Sequence, residues 1–130
     1  MAPDQDKFSF QHISLAVTDV DRSAAFYMKI FGFEEIPNLT RKPWIRWLGF
    51  DKRLELHLIQ SETHEIKITR QVHLAWSTGN FEVFLQELAQ AYPENSNWLN
   101  AMVRSVRADG AKQVYFQDPD GYWIEVNDAH

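Results

Sequence analysis

The chain has 130 residues, 45% of them hydrophobic and 24% charged, which suits one soluble domain with a sizeable core and excludes global disorder. Its net charge is -5 and its 13 Lys and Arg are scattered, so nucleic acid is not the expected partner. It has no cysteine, which excludes disulfides, zinc ribbons and thiol nucleophiles, and no apolar run nears the ~20 residues of a membrane helix.

The opening MAPDQDKFSF lacks an apolar h-region, so no secretory signal is expected and the cytoplasm is the default location. From Phe8 to Val17 the pattern alternates. Phe8, Phe10, His12, Ser14 and Ala16 share one face, and Gln11, Ile13, Leu15 and Val17 the other, which predicts a strand. Thr18 or Asp19 can cap a helix whose apolar positions are Val20, Ala24, Tyr27, Met28 and Phe31, and Gly32 ends it. Glu34–Pro37 predicts a short strand. Trp44–Phe50 and Arg53–Gln60 predict two more, joined at Asp51–Lys52. The densest basic cluster, Arg41, Lys42, Arg46, Lys52 and Arg53, reads as hairpin surface.

Residues 61–69 are polar and read as a linker. Gln71–Ser77 predicts a strand, and Phe81, Phe84, Leu85, Leu88 and Ala91 an amphipathic helix that Pro93 stops. Trp98, Leu99 and Met102 suggest a helical turn within 94–102. Val103–Arg107, Lys112–Phe116 and Tyr122–Asn127 predict three strands, with turns at Ala108–Gly110 and Asp118–Gly121.

The order is βαβββ twice, a duplicated module. A shift of 61 residues puts His12 on His73, Asp19 on Asn80 and Asp21 on Glu82. A shift of 70 puts Leu54-Glu55-Leu56 on Ile124-Glu125-Val126. Each module thus has a histidine near its first strand and an acid on its last. Taken singly, a strand histidine is more often a packed side chain, and a strand glutamate more often faces water. Together, imidazole and carboxylate at repeat-equivalent places suit one divalent ion (Zn, Ni, Fe, Mn or Co), which would also offset the burial cost of a carboxylate in the apolar strand around Glu125. The remaining position is open. Glu55 and His57 lie on the same face of one strand, about 7 Å apart. The repeat favours Glu55, a two-residue slip favours His57, and the other would line the pocket. His64 and His130 read as solvated. Trp44, Trp47, Trp76, Tyr115 and Trp123 are core or interface candidates, of which one or two could wall a ligand pocket. No P-loop, GxGxxG or GxSxG is present.

Phe10-Gln-His-Ile-Ser-Leu-Ala-Val-Thr-Asp-Val-Asp-Arg-Ser-Ala-Ala-Phe-Tyr, followed by Phe31-Gly-Phe-Glu-Glu, resembles the opening of a vicinal-oxygen-chelate module. Phe116-Gln-Asp-Pro-Asp-Gly-Tyr-Trp-Ile-Glu-Val resembles its close, in the glyoxalase I version, and Val72-His-Leu-Ala-Trp the start of a second module. The resemblance implies an α+β fold, a single glyoxalase-like domain over 1–130 with modules at about 8–60 and 70–128, forming a curved mixed sheet around one divalent metal. It carries the ligand roles onto His12, Glu55 or His57, His73 and Glu125. Relatives in this superfamily include glyoxalase I, methylmalonyl-CoA epimerase, fosfomycin-resistance thiol transferases, extradiol dioxygenases and metal-free bleomycin-binding proteins.

The expected function is a metal-dependent lyase or isomerase acting on a small molecule with vicinal oxygens through an enediolate-type intermediate, with Glu125 and Glu55 as catalytic groups. A ligand-sequestering resistance protein and an extradiol-type dioxygenase are the alternatives, to be separated by metal analysis and by oxygen uptake with Fe(II). The expected assembly is a homodimer. Glyoxalase I has an arginine four residues after the first histidine and an asparagine four after the first-module acid. Ala16 and Ile59 stand there instead, so glutathione is not the expected co-substrate.

Overall fold

The computed structural model describes residues 8–51, 54–61, 66, 68–91 and 103–129. The element order is β1 (His12–Val17), α1 (Val20–Phe31), β2 (Glu34–Ile36), β3 (Ile45–Asp51), β4 (Leu54–Gln60), β5 (His73–Ser77), α2 (Phe81–Ala91), β6 (Val103–Val106), β7 (Lys112–Gln117) and β8 (Trp123–Asn127). The chain divides into two compact units, Met1–His64 and Glu65–His130, each a βαβββ module. His64, His130, the turn residue Lys52, Arg53, residues 1–7 and the helical turn expected within 94–102 lie outside the described residues.

Unit 1 is a four-stranded mixed sheet in the order β1-β4-β3-β2, with β1 parallel to β4 and the other pairs antiparallel. The first strand starts at His12 rather than Phe8. Phe8 and Phe10 alternate correctly but are 81% and 67% exposed, so they gain little from pairing. Burial then follows the period of two. Leu15, Val17, Leu48, Leu56 and Leu58 are buried on the side that α1 covers with Val20, Ala24 and Tyr27, and α1 packs on β3 and β4. Asp19 caps α1. Its carboxylate accepts from the backbone N–H groups of Asp21 and Arg22, both at 3.1 Å. Gly32 closes it at φ 72°, the left-handed turn of a helix C-terminus. Asp19→Ala is expected to cost about 1 kcal/mol, read as a lower thermal midpoint.

Unit 2 repeats the plan in the order β5-β8-β7-β6, with β5 parallel to β8. Val114, Phe116, Ile124 and Val126 are buried, and the rings of Phe84 on α2 and Phe116 on β7 lie 5.9 Å apart. The turn into β8 is held by Asp118, whose Oδ1 accepts from the N–H groups of Asp120 and Tyr122, both at 2.9 Å. No helix among the described residues is long and apolar enough to cross a membrane.

Candidate functional site

In unit 1 the strand period that buries Leu56 and Leu58 turns Glu55, His57 and Ile59 to the opposite face of the sheet. His12, Ser14 and Ala16 share that face from β1, and Trp47 from β3. Because β4 lies between β3 and β1, the His57 ring is sandwiched. Trp47 stacks on it at 4.1 Å and 2°, and His12 at 4.2 Å and 14°. His57 Nε2 lies 2.9 Å from Glu55 Oε1. His12 Nδ1 lies within hydrogen-bond reach of the Gln11 side-chain oxygen.

In unit 2 the corresponding face carries His73 from β5, Tyr115 from β7, and Glu125 and Asn127 from β8. Glu125 is only 6% exposed. Its Oε1 accepts from Tyr115 Oη at 2.9 Å and lies 3.2 Å from His73 Nε2. Its Oε2 accepts from Asn127 Nδ2 at 2.7 Å, and Arg107 stands 3.6 Å away. Burial pushes this carboxyl up, but the hydrogen bonds from Asn127, Tyr115 and His73, with the Arg107 charge, outweigh it and hold the group below its ordinary value. The Tyr115 hydroxyl is pushed up, by burial first and then by its bond to Glu125.

His73 faces two acceptors. Its Nδ1 donates to the Arg70 carbonyl at 3.0 Å, and its Nε2 faces a carboxylate oxygen. Imidazole nitrogen beside carboxylate oxygen is donor chemistry that fits a divalent ion. Two donors bound at ~2.1 Å and at right angles lie about 3 Å apart, which is the separation in both His–Glu pairs. Among the described residues no three His, Asp or Glu gather as one metal-binding group.

The register differs from the expected repeat at one place. In unit 1 His12 pairs with Glu55 and Ser14 with His57. In unit 2 His73 pairs with Trp123 and Ala75 with Glu125. With the histidines equated, Glu125 corresponds to His57, not Glu55. The antiparallel side agrees, since Trp47 opposes His57 and Tyr115 opposes Glu125.

Tyr115, Asn127 and Arg107 were not singled out from the sequence as partners of Glu125. The available signal was periodicity: Asn127 lies two residues beyond Glu125 on the same strand face. Of the five aromatics read as core or interface candidates, Trp44 is 46% exposed, and Trp47, Trp76, Tyr115 and Trp123 are half-buried.

A model of the Glyoxalase/Bleomycin resistance protein/Dioxygenase superfamily matches residues 9–126. Glyoxylase I 4 of Arabidopsis thaliana is 29% identical over 134 residues, covering 91% of this chain and 69% of that protein. Among solved structures, the fosfomycin resistance protein FosX of Listeria monocytogenes superposes with a TM-score of 0.72 at 20% identity, over 95% of this chain and 94% of that one. A variant of the same FosX was crystallised with Mn(II) and 1S,2S-dihydroxypropylphosphonic acid. Lactoylglutathione lyase of Agrobacterium tumefaciens superposes with a TM-score of 0.70 at 17% identity, over 98% and 96% of the two chains. With the module order, the strand register and a match over nearly its whole length in agreement, the chain belongs to the Glyoxalase/Bleomycin resistance protein/Dioxygenase superfamily.

Proposed function

We propose that this protein is a divalent-metal-dependent, glyoxalase-like lyase or isomerase that acts on a small molecule with vicinal oxygens. His12, His57, His73 and Glu125 are its ligand set. The observation that carries the reading is the buried Glu125 carboxylate, held ionised by Tyr115 and Asn127, with a His73 Nε2 facing it whose Nδ1 proton is already committed to Arg70. The register supports His57 over Glu55 as the fourth ligand. Glu55, 36% exposed at its side chain and 2.9 Å from His57, is then left to carry a proton adjacent to a carbonyl, with Glu125 as the alternative carrier. A bound ion would supply Lewis acidity toward the substrate's oxygens. The stacked Trp47 and His12 rings hold His57 in one orientation.

Elemental analysis of protein purified without chelators tests this. About one divalent ion per chain is expected, absent from His12→Ala and His73→Ala and retained in Glu55→Gln. Full occupancy in both histidine variants would overturn the ligand set. The bleomycin resistance proteins in the matched family support a second reading, a metal-free sequestering protein, and an absence of bound metal after purification would select it.

Glutathione is not the co-substrate in this reading. Ala16 and Ile59 are cross-strand partners on the face that carries His12 and His57, so an apolar pair stands where glyoxalase I has a cation and an amide. Losing a charged donor costs about 1.5–3 kcal/mol. Turnover of the methylglyoxal–glutathione hemithioacetal, with Ni, Zn, Co and Mn tried in turn, is expected to stay below a kcat/KM of about 10⁴ M⁻¹s⁻¹. A higher value would make the protein a glyoxalase I with a rebuilt peptide pocket.

A further inference from the structure

Unit 1 has an open groove of about 590 Å³ between β2 and the loop that leads into β3. Ile36, Ile45 and Trp47 give it an apolar floor, and Arg41 and Lys42 a basic rim. Its other ionic groups, Arg46 and Glu35, are bonded to each other, and Arg46 also holds Asp21 at 3.2 Å. The bond to Glu35 raises the Arg46 guanidinium further above its ordinary value, so this pair is wall rather than ligand. Arg41 and Lys42 are the groove's remaining cations, with Lys42 Nζ 5.8 Å over the Trp44 ring, in a chain whose net charge is -5.

The loop that presents them is rigid. Asn38 donates to the carbonyls of Lys42 and Ile45 at 2.9 and 2.7 Å, and its Oδ1 accepts from the N–H and hydroxyl of Thr40 at 3.0 and 2.6 Å. Arg41 is the one non-glycine residue at positive φ, 60°, among the described residues. Glycine would occupy that conformation without strain, so an arginine there is a side chain kept against the local backbone preference. Trp47 links the groove to the candidate site, since the same ring lines the groove and stacks on His57.

We propose that this groove binds an organic anion, a carboxylate or phosphate monoester on an apolar body, with Arg41 and Lys42 on the charge and Trp47 under the body. Its use as the subsite for the far end of the substrate rests on the metal-dependent reading above; the anion binding itself does not. Two cations on one rim favour a dianion over a monoanion.

The test is titration of ¹⁵N-labelled, chelator-treated protein with phenyl phosphate, benzoate and benzyl alcohol, followed by amide shifts. Phenyl phosphate is expected to move amides within 36–47, more tightly than benzoate and with a salt-sensitive Kd, and benzyl alcohol to move them weakly. Arg41→Gly is expected to weaken phenyl phosphate at least about tenfold while leaving the thermal midpoint unchanged or higher, because glycine relieves the backbone. Lys42→Ala weakens it independently. Unchanged affinity in Arg41→Gly, equal binding of the neutral probe, or shifts confined to other residues would overturn the proposal. Metal content is read in parallel, on protein purified without chelators. Groove binding without metal would sink only the metal-dependent reading, and metal without groove binding only this one.

Discussion

Replacing Glu125 with alanine is expected to abolish divalent-ion binding and to cost the metal-free protein about 3 kcal/mol of folding stability. The loss is large because the carboxylate is the shared acceptor of Tyr115, Asn127 and His73, and each is left facing nothing when it goes. Arg107 adds less, since its side chain is 38% exposed and stands 3.6 Å away. The folded pKa of Glu125 lies below its ordinary value: burial opposes the shift, and the three hydrogen bonds prevail. Its contribution is therefore full above the unfolded value of about 4.3 and is lost as pH falls through the lower folded value. Urea midpoints of wild type and Glu125→Ala, both chelator-treated, should differ most near neutrality and converge below about pH 4. A gap that is constant from pH 7 to pH 3 would mean that the carboxylate acts through packing rather than charge.

Phe116→Ala is expected to remove about 4 kcal/mol, a large share of a typical domain's 5–15. The ring is fully buried on β7, opposite Ile124 and against Phe84 of α2, so few neighbours can move in to fill the void. It also directly follows Tyr115 in the strand's alternation, facing the other way. The variant should keep metal when folded and unfold at markedly lower urea. A cost under about 1 kcal/mol would show that helix and sheet collapse to close the gap.

Local chemistry made most of the fold legible. Asp19, the helical spacing from Val20 to Phe31 and Gly32 mark α1 to the residue, and alternation about Leu56 or Val114 marks the strands that bury them. The ends of strands were less legible. Phe8 and Phe10 continue the alternation of β1 but stay largely exposed, so pattern alone overran the strand by four residues. What no local pattern contains is which residue of one strand meets which residue of another. Leu-Glu-Leu and Ile-Glu-Val look alike, yet the first is two places out of step with the second when the partner strands are aligned. That offset is set by the parallel β1–β4 and β5–β8 pairings, which join residues far apart in the chain, and it moves the candidate ligand from Glu55 to His57. Arg41 was legible only as a charge. Its left-handed backbone comes from the Asn38 hydrogen bonds and carries no composition cue.

The parallel pairing of each module's first strand with its last also bears on how the chain is made. His12 meets Glu55, and Ala75 meets Glu125, so β1 and β5 find no hydrogen-bonded neighbour until the final strand of their module has been synthesised. Closing such loops sacrifices chain entropy before any contact rewards it, and folding that depends on distant pairings is slow. On the ribosome the nascent chain therefore carries β1 unpaired through the synthesis of a helix and two strands. The exposed edge is a hairpin's temptation for any other strand nearby, and the polar residues on its open face, His12 and Ser14, keep that waiting strand soluble.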